Sequence, residues 1–377
     1  MRPVDVLLVS PWQTGAGASG VVSACRNLAQ GLAALPDVAA VTVLSLGEER
    51  RSEELDGGIR VEVIPRQTRG ALVTNGWPDY LGAARWLRAS GFRPSVVHGQ
   101  GFAGEGLTAV RLARRLRLPS VVTVHGMVDK EARLYADPLR AAMARRVMRQ
   151  TLESARGVVF VSPYRKGELR LRGSVDARVI PNAIAADVFS VERSAPRPSV
   201  LYAGFVGPRK RLLDLVQALP AVRQVVPDAH LRVAGPVSDA AYARRVEAEV
   251  ADRDLRDAVT FLGPLDPASL RAEYASAGVL ALASEEENAP QVIAEAMAAG
   301  VPVVATDVGG IRWMVQDGVT GYVVPPRDVS ALGDRLATVL SSADGSMSRL
   351  GRAEAERFRP ETVAAQTVDL YRAVGAT

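Results

Sequence analysis

Short runs of almost wholly aliphatic residues, separated by helical stretches, recur along this chain and leave few folds open. Residues 4–10 barely alternate between polar and apolar. A strand with one solvated face alternates, whereas one buried on both faces does not, so this run predicts a parallel strand covered by helices on each side. Further strands are expected at 41–46, 61–64, 96–98, 121–125 and 158–162, with a helix over about 21–35 and helical stretches between the others. Repeated strand-helix units predict a doubly wound α/β sheet. The proline-rich, polar stretches Arg178-Val-Ile-Pro-Asn-Ala-Ile184 and Arg193-Ser-Ala-Pro-Arg-Pro198 then interrupt the pattern. It restarts with a strand at 199–203, a helix at 212–219, a strand at 231–234, a helix at 240–251 and a strand at 259–262, and ends with strands near Val303 and Tyr322. At 377 residues the chain is long for a single core. The reading is two Rossmann-like domains, residues 1–190 and 191–359, followed by an amphipathic helix within 360–377. Ligands of such sheets bind outside the carboxyl ends of the strands.

Charge is unevenly divided. Residues 1–190 carry 26 Lys and Arg against 17 Asp and Glu, and the remainder 20 against 24. Two arginine-rich segments of the basic half, Arg111-Leu-Ala-Arg-Arg-Leu-Arg117 and Arg140-Ala-Ala-Met-Ala-Arg-Arg-Val-Met-Arg149, fit amphipathic helices that either meet an anionic membrane face or form ordinary solvated surface. Nucleic acid is not expected as a partner, because aromatic residues are only 5% of the chain and none interleave with the cations. The single cysteine, Cys25, excludes an intrachain disulfide and reads as a small apolar helix residue. No apolar run reaches the roughly 18 residues of a membrane span, and no signal-type segment opens the chain. A cytoplasmic protein is expected, and peripheral contact at the inner face of a membrane stays open beside an ordinary solvated surface.

Most of the chemistry is expected in the stretch Ser284-Glu-Glu-Glu-Asn-Ala-Pro-Gln-Val-Ile-Ala-Glu-Ala-Met-Ala-Ala-Gly300. Pro290 suits a first helical position, with Asn288 or Ala289 as the cap and Gly300 as the stop. Val292, Ile293, Ala296, Met297 and Ala299 recur at helical spacing, and Glu295 falls on their stripe, where an aliphatic residue belongs. Glu287 lies seven residues earlier, on a strand-to-helix loop. The amides at this helix start make an anion site around Asn288, Ala289, Pro290 and Gln291, with the two carboxylates accepting from hydroxyls on either side. Glu285 and Glu286 are equally explained as acids favouring the helix dipole.

Other candidates are scattered. Gly15-Ala-Gly-Ala-Ser-Gly20 formally spells a dinucleotide fingerprint, but Pro11 to Thr14 separate it from the strand and no acidic residue follows at the required distance. Backbone amides of Ser19 and Gly20 approaching a phosphate or sugar are the alternative reading. Lys210, one of only three lysines, precedes a helix beside Arg209 and Arg211, where an ammonium suits a pyrophosphate. Of three histidines, His125 ends a strand before Gly126, His98 ends another, and His230 reads as surface. One Cys and scattered His form no metal cluster, and Asp252-Arg-Asp254 reads as a solvated turn. No cofactor and no divalent metal are expected.

The 284–300 stretch, with Gly300-Val-Pro-Val-Val-Ala-Thr-Asp-Val-Gly-Gly310 and Asp317-Gly-Val-Thr-Gly-Tyr-Val-Val-Pro-Pro326, resembles family 4 of the retaining nucleotide-sugar glycosyltransferases. That family carries two Glu separated by seven residues and then an Ala-Met-Ala-x-Gly-x-Pro-Val-Val-Ala-like run. The resemblance implies the GT-B architecture, two Rossmann-like domains facing a cleft, with the final helix crossing back to the first domain. It implies that Glu287 contacts the transferred sugar, Glu295 the ribose of the nucleotide, and Lys210 the leaving diphosphate. It also implies that His125 lies over the sugar and that the glycine loop approaches the ligand. The family pairs its Lys with an Arg where this chain has Phe205, which leaves Arg209 to supply the second cation. By resemblance the reaction retains configuration by front-face attack, from a nucleotide-diphosphate sugar to a glycan, lipid-linked or small-molecule hydroxyl. A nucleotide-dependent oxidoreductase, resting on the glycine string, and a non-catalytic sugar-nucleotide sensor or epimerase are the alternatives.

Overall fold

The computed structural model describes residues 2–12, 20–66, 76–126, 137–168, 171, 175–195 and 197–376. These form two compact units, the first running to Ala183 and resuming at Phe358, the second covering Ile184–Arg357.

The first unit contains β1 (Val4–Val9), α1 (Gly20–Ala33), β2 (Val38–Gly47), β3 (Arg51–Leu55), β4 (Ile59–Pro65), α2 (Trp77–Ser90), β5 (Val96–Gln100), α3 (Gly104–Leu116), β6 (Ser120–Val124), α4 (Pro138–Ser154), β7 (Gly157–Phe160), α5 (Pro163–Glu168) and β8 (Asp176–Val179). Its sheet has the order β3-β4-β2-β1-β5-β6-β7-β8, parallel except for β3, which runs antiparallel to β4. Sequence periodicity gave no warning of β3. Its residues Arg-Ser-Glu-Glu-Leu are polar because the strand is an edge, where charge deters further pairing.

The second unit contains β9 (Ser199–Ala203), α6 (Leu212–Val225), β10 (His230–Ala234), α7 (Ala240–Asp252), β11 (Val259–Gly263), α8 (Pro267–Ser276), β12 (Val279–Leu282), α9 (Gln291–Ala298), β13 (Val303–Thr306), α10 (Ile311–Met314), β14 (Gly321–Val324), α11 (Val329–Ser341) and α12 (Ser346–Ala355). Its six strands are all parallel, in the order β11-β10-β9-β12-β13-β14. The aliphatic runs are buried as their composition requires: every residue of β9, β12 and β13 is inaccessible. Strand order reverses between β9 and β12, so the loops leaving these two strands diverge to opposite faces and leave a crevice at their carboxyl ends.

Three expectations shift. α6 continues through Pro220 to Val225 instead of ending at Leu219, because its buried face goes on through Val222. Pro290 is the residue before α9, in extended conformation, rather than its first helical residue, and Asn288 and Ala289 stay in the loop. His230 is half-buried, its Nε2 2.7 Å from Thr260 Oγ1, rather than plain surface.

The last helix, α13 (Pro360–Ala373), returns to the first unit and packs on α1. Val363, Val368 and Tyr371 join Val6, Leu8, Cys25 and Leu32 in one buried cluster. Gly31 of α1 is what permits the approach, since a β-carbon there would overlap the Pro360 carbonyl. Gly31→Ala is therefore expected to destabilise the protein by about 2 kcal/mol, with hydrogen exchange speeding first in α13; unchanged α13 protection would show that the contact does not hold the helix.

Candidate functional site

The crevice of the second unit is built from two loops that are stitched together. After β9 the chain runs Gly204-Phe-Val-Gly-Pro-Arg-Lys-Arg211, and after β12 it runs Ala283-Ser-Glu-Glu-Glu-Asn-Ala-Pro290. Tyr202, fully buried, donates to the Phe205 carbonyl at 2.6 Å and fixes the exit of the first loop. Gly235 passes so close to the Gly204 carbonyl that no β-carbon fits there. The Glu285 amide donates to the Arg209 carbonyl at 2.9 Å, and the Arg209 guanidinium donates to the Glu286 carbonyl at 2.8 Å.

These bonds bring Lys210 to Glu287. The ammonium Nζ lies 2.6 Å from Glu287 Oε1, with the side chains only 12% and 7% exposed, and Arg209 stands 4.0 Å from the same oxygen. A carboxylate so deep in the protein needs such a partner. Arg211 is used differently: it forks onto buried Asp214 with two bonds of 2.7 Å and reaches Glu285 at 3.0 Å. Glu285 is also held by Arg327 at 2.8 Å; hydrogen bonds from Arg327 and Arg211 keep its carboxyl below the usual glutamate range. Arg211 and Glu285 therefore form a structural network around the site.

Gly309 lies against the backbone of Glu287. It has φ +59°, and a β-carbon there would overlap the Glu287 carbonyl oxygen. The second loop is also tied down by Thr306, whose hydroxyl donates to the Ser284 carbonyl at 2.6 Å. Beyond the loop, the N-cap residue of α9, Pro290, makes no side-chain cap hydrogen bond.

Glu295 occupies the α9 stripe as the spacing indicates, half-buried, and accepts from Tyr274 Oη at 2.9 Å. Desolvation raises its pKa, and the Tyr274 hydrogen bond offsets part of that rise. Tyr274, fully buried on α8, is a residue that sequence reasoning missed. Nothing local to α8 marks it, because its significance lies in a partner 21 residues away.

His125 and Gly20 lie in the first unit, so the structure does not bring them together with Lys210 and the glutamates within one unit. Gly20 is the first residue of α1; Ser19 and the rest of the glycine string lie outside the described residues. His125 follows β6, half-buried, with Nε2 2.9 Å from Gln100 Oε1. Gln100 Nε2 in turn lies 3.2 Å from His98 Nε2, which is 2.7 Å from Thr123 Oγ1, while His98 Nδ1 is 2.7 Å from Tyr371 Oη of α13. Burial pushes His98 down to about 3 and His125 down to about 4, so both rings are neutral near pH 7. The sign of this linkage is acid-destabilising: the unfolded chain takes up protons near pH 6.5 that the folded rings refuse until their lower values. Among the described residues no three His, Cys, Asp or Glu side chains are grouped as a metal would need.

The fold of the two α/β units is that of the GT-B glycosyltransferases. Family comparison agrees: the pattern of "Glycosyltransferase Family 4" matches residues 18–188 and that of "Glycosyl transferases group 1" residues 197–342. The D-inositol 3-phosphate glycosyltransferase of Xylanimonas cellulosilytica is 32% identical over 349 residues, 84% of this chain and 82% of that protein. The phosphatidyl-myo-inositol mannosyltransferase of Mycobacterium leprae is 31% identical over 309 residues, 78% of this chain and 76% of that one. Among solved structures, the sucrose-phosphate synthase of Thermosynechococcus elongatus aligns with a TM-score of 0.78 over 98% of this chain and 99% of its own, at 24% identity. Anabaena HepE, solved with UDP-glucose, gives 0.75 over 98% and 100%, at 18% identity. The chain belongs to glycosyltransferase family 4 and is a glycosyltransferase. Membership sets aside the oxidoreductase reading of the glycine string. Among the described residues no helix is long and apolar enough to cross a membrane.

Proposed function

We propose that the protein transfers a sugar from a nucleotide diphosphate to an acceptor hydroxyl with retention of configuration and without a divalent metal. The observation that carries this reading is the Lys210–Glu287 pair at the β9/β12 crevice. An ammonium has three protons, so Lys210 can keep one on Glu287 and turn the others to a diphosphate. Arg209, with half its guanidinium exposed, is the second cation, taking the place that Phe205 leaves vacant. The uncapped start of α9 adds its dipole, and Asn288, Ala289, Pro290 and Gln291 border the same position. The leaving charge is then met by protein groups.

Glu287 is assigned to hydroxyls of the transferred sugar, Glu295 to the nucleoside diol, and neutral His125, with Ser19 and Gly20 of the glycine loop, to the sugar and acceptor side. A double displacement would need two carboxylates about 5 Å apart, sharing one bond. Here each carboxylate has its own partner, Lys210 or Tyr274, which favours front-face attack with the leaving phosphate oxygen taking the acceptor proton. The names of the relatives suggest inositol phosphates or lipid-linked inositol as acceptors. Peripheral membrane contact is proposed for α3 and α4, a reading supported by Leu139, 81% exposed beside the arginines. Product analysis by NMR after incubation with UDP-glucose and GDP-mannose tests the whole reading, and an inverted anomer would refute it.

Tyr274 makes a sharper prediction. A diol is gripped by ionised Glu295, and burial makes that side chain hold its proton to higher pH than an ordinary glutamate. Nucleoside diphosphate affinity should therefore fall as pH is lowered through that raised range. Tyr274→Phe removes the hydrogen bond that favours the ionised form, and should weaken binding about tenfold and move the fall to higher pH. Titration calorimetry between pH 5 and 8 measures both; a pH-independent affinity would separate Glu295 from the diol.

A further inference from the structure

The two arginine-rich segments of the basic half come together as α3 and α4, and between their C-terminal ends lies a recess of about 630 Å³. Arg111, Arg114 and Arg117 line it from α3 and its C-terminal cap, and Arg156 closes it from the connection between α4 and β7. Ser120 and Ser154 add hydroxyls, and none of the residues lining it is acidic. Arg111 is braced by its guanidinium stacking 4.5 Å over the Trp77 ring. The side chains of Arg114, Arg117 and Arg156 have no carboxylate partner among the described residues, whereas Arg60, Arg178, Arg211, Arg232 and others of this chain do. Cations near a helix C-terminus are ordinarily explained by the helix dipole, which accounts for Arg114 and Arg115. Arg156 lies one residue past the C-cap of α4, so the dipole of that helix explains it in the same way; what neither dipole explains is that cations from two helices line one recess.

The recess sits at the amino ends of β6 and β7: Ser120 begins β6, and the Arg156 amide donates to its carbonyl at 3.0 Å. His125 follows the other end of β6, about 16 Å away along a five-residue strand. A ligand in the recess is therefore not a reactant at His125.

We infer that this recess is a second anion site, built for a ligand bearing two or more phosphate groups. Guanidinium forks match phosphate oxygens bidentately, and Arg114, Arg117 and Arg156, with no carboxylate partner among the described residues, carry more charge than one monoanion neutralises. Such phosphates reach a protein either on a soluble metabolite or on a lipid headgroup, and the chemistry is the same. The inference goes beyond the transfer reaction and stands whichever sugar is moved.

The test is calorimetric titration of the full chain with inositol hexakisphosphate, comparing wild type with R114Q/R156Q, with R85Q/R88Q as a matched loss of charge on α2, and with K210A. Both recess substitutions are at exposed positions. The expected result is a loss of at least tenfold in affinity for R114Q/R156Q only. Equal affinity in all four proteins, or loss shared with R85Q/R88Q, overturns the site. Loss confined to K210A assigns the phosphate to the donor crevice and overturns it as well. Cosedimentation with vesicles containing cardiolipin, which bears two phosphates, against phosphatidylcholine alone, separates the sources. Vesicle binding abolished by R114Q/R156Q identifies a lipid headgroup, and recess-dependent hexakisphosphate binding without vesicle binding identifies a soluble ligand.

Discussion

Glu287→Ala is expected to lower kcat about 10³-fold, the scale on which removal of one preorganised electrostatic contact acts. The same change should destabilise the fold by about 3 kcal/mol, because it strands Lys210, only 12% exposed, without a counter-charge. These two effects can be separated. In E287A/K210A no charge is left unpaired, so stability should return most of the way while turnover stays low. Glu287→Gln keeps the shape and a hydroxyl-directed oxygen but loses the ion pair, and should fall between. Initial rates and urea unfolding on the four proteins give both numbers. Turnover of E287A within tenfold of wild type would remove Glu287 from the chemistry, whatever happened to stability.

Gly309→Ala should be nearly as damaging, although the residue carries no functional group. Its φ of +59° costs an alanine about 1 kcal/mol, and its β-carbon would overlap the Glu287 carbonyl oxygen. The 309 turn and the Glu287 loop cannot both stay where they are, so we expect a loss of about 3 kcal/mol and at least 100-fold in kcat. Gly318 supplies the control. It has φ +75° with nothing within 4 Å of a built β-carbon, so Gly318→Ala should cost only the backbone term and leave kcat unchanged. If the two alanines behave alike, the crowding at Gly309 has no bearing on catalysis.

Much of this was legible before any coordinates. Glu295 could be singled out because a carboxylate on an apolar helical stripe contradicts the pattern around it, and the stripe itself is a local property. Aliphatic runs gave β9 and β13 because a strand buried on both faces has no polar positions to confuse it. Legibility ended where partners are distant in sequence. Tyr274 meets Glu295 across 21 residues, His98 meets Tyr371 across 273, and Lys210 meets Glu287 across 77. β3 was missed for the opposite reason, since an edge strand is selected for polarity and looks like a loop. Pro290 was misplaced by one position because its fixed φ serves equally well just before a helix and inside its first turn.

Because α13 returns to α1, β1 and α1 are made before the second unit but covered only after it. Val6, Leu8 and Cys25 leave the ribosome early, yet their cover of Val363, Val368 and Tyr371 arrives only after the whole second unit has been made. The nascent protein must carry that uncovered apolar face through some 170 residues of elongation, while Ile184–Arg357 emerge as one uninterrupted piece. Removal of α13 would thus be felt at β1 and α1, and chaperone demand should track those elements rather than the segment most recently translated.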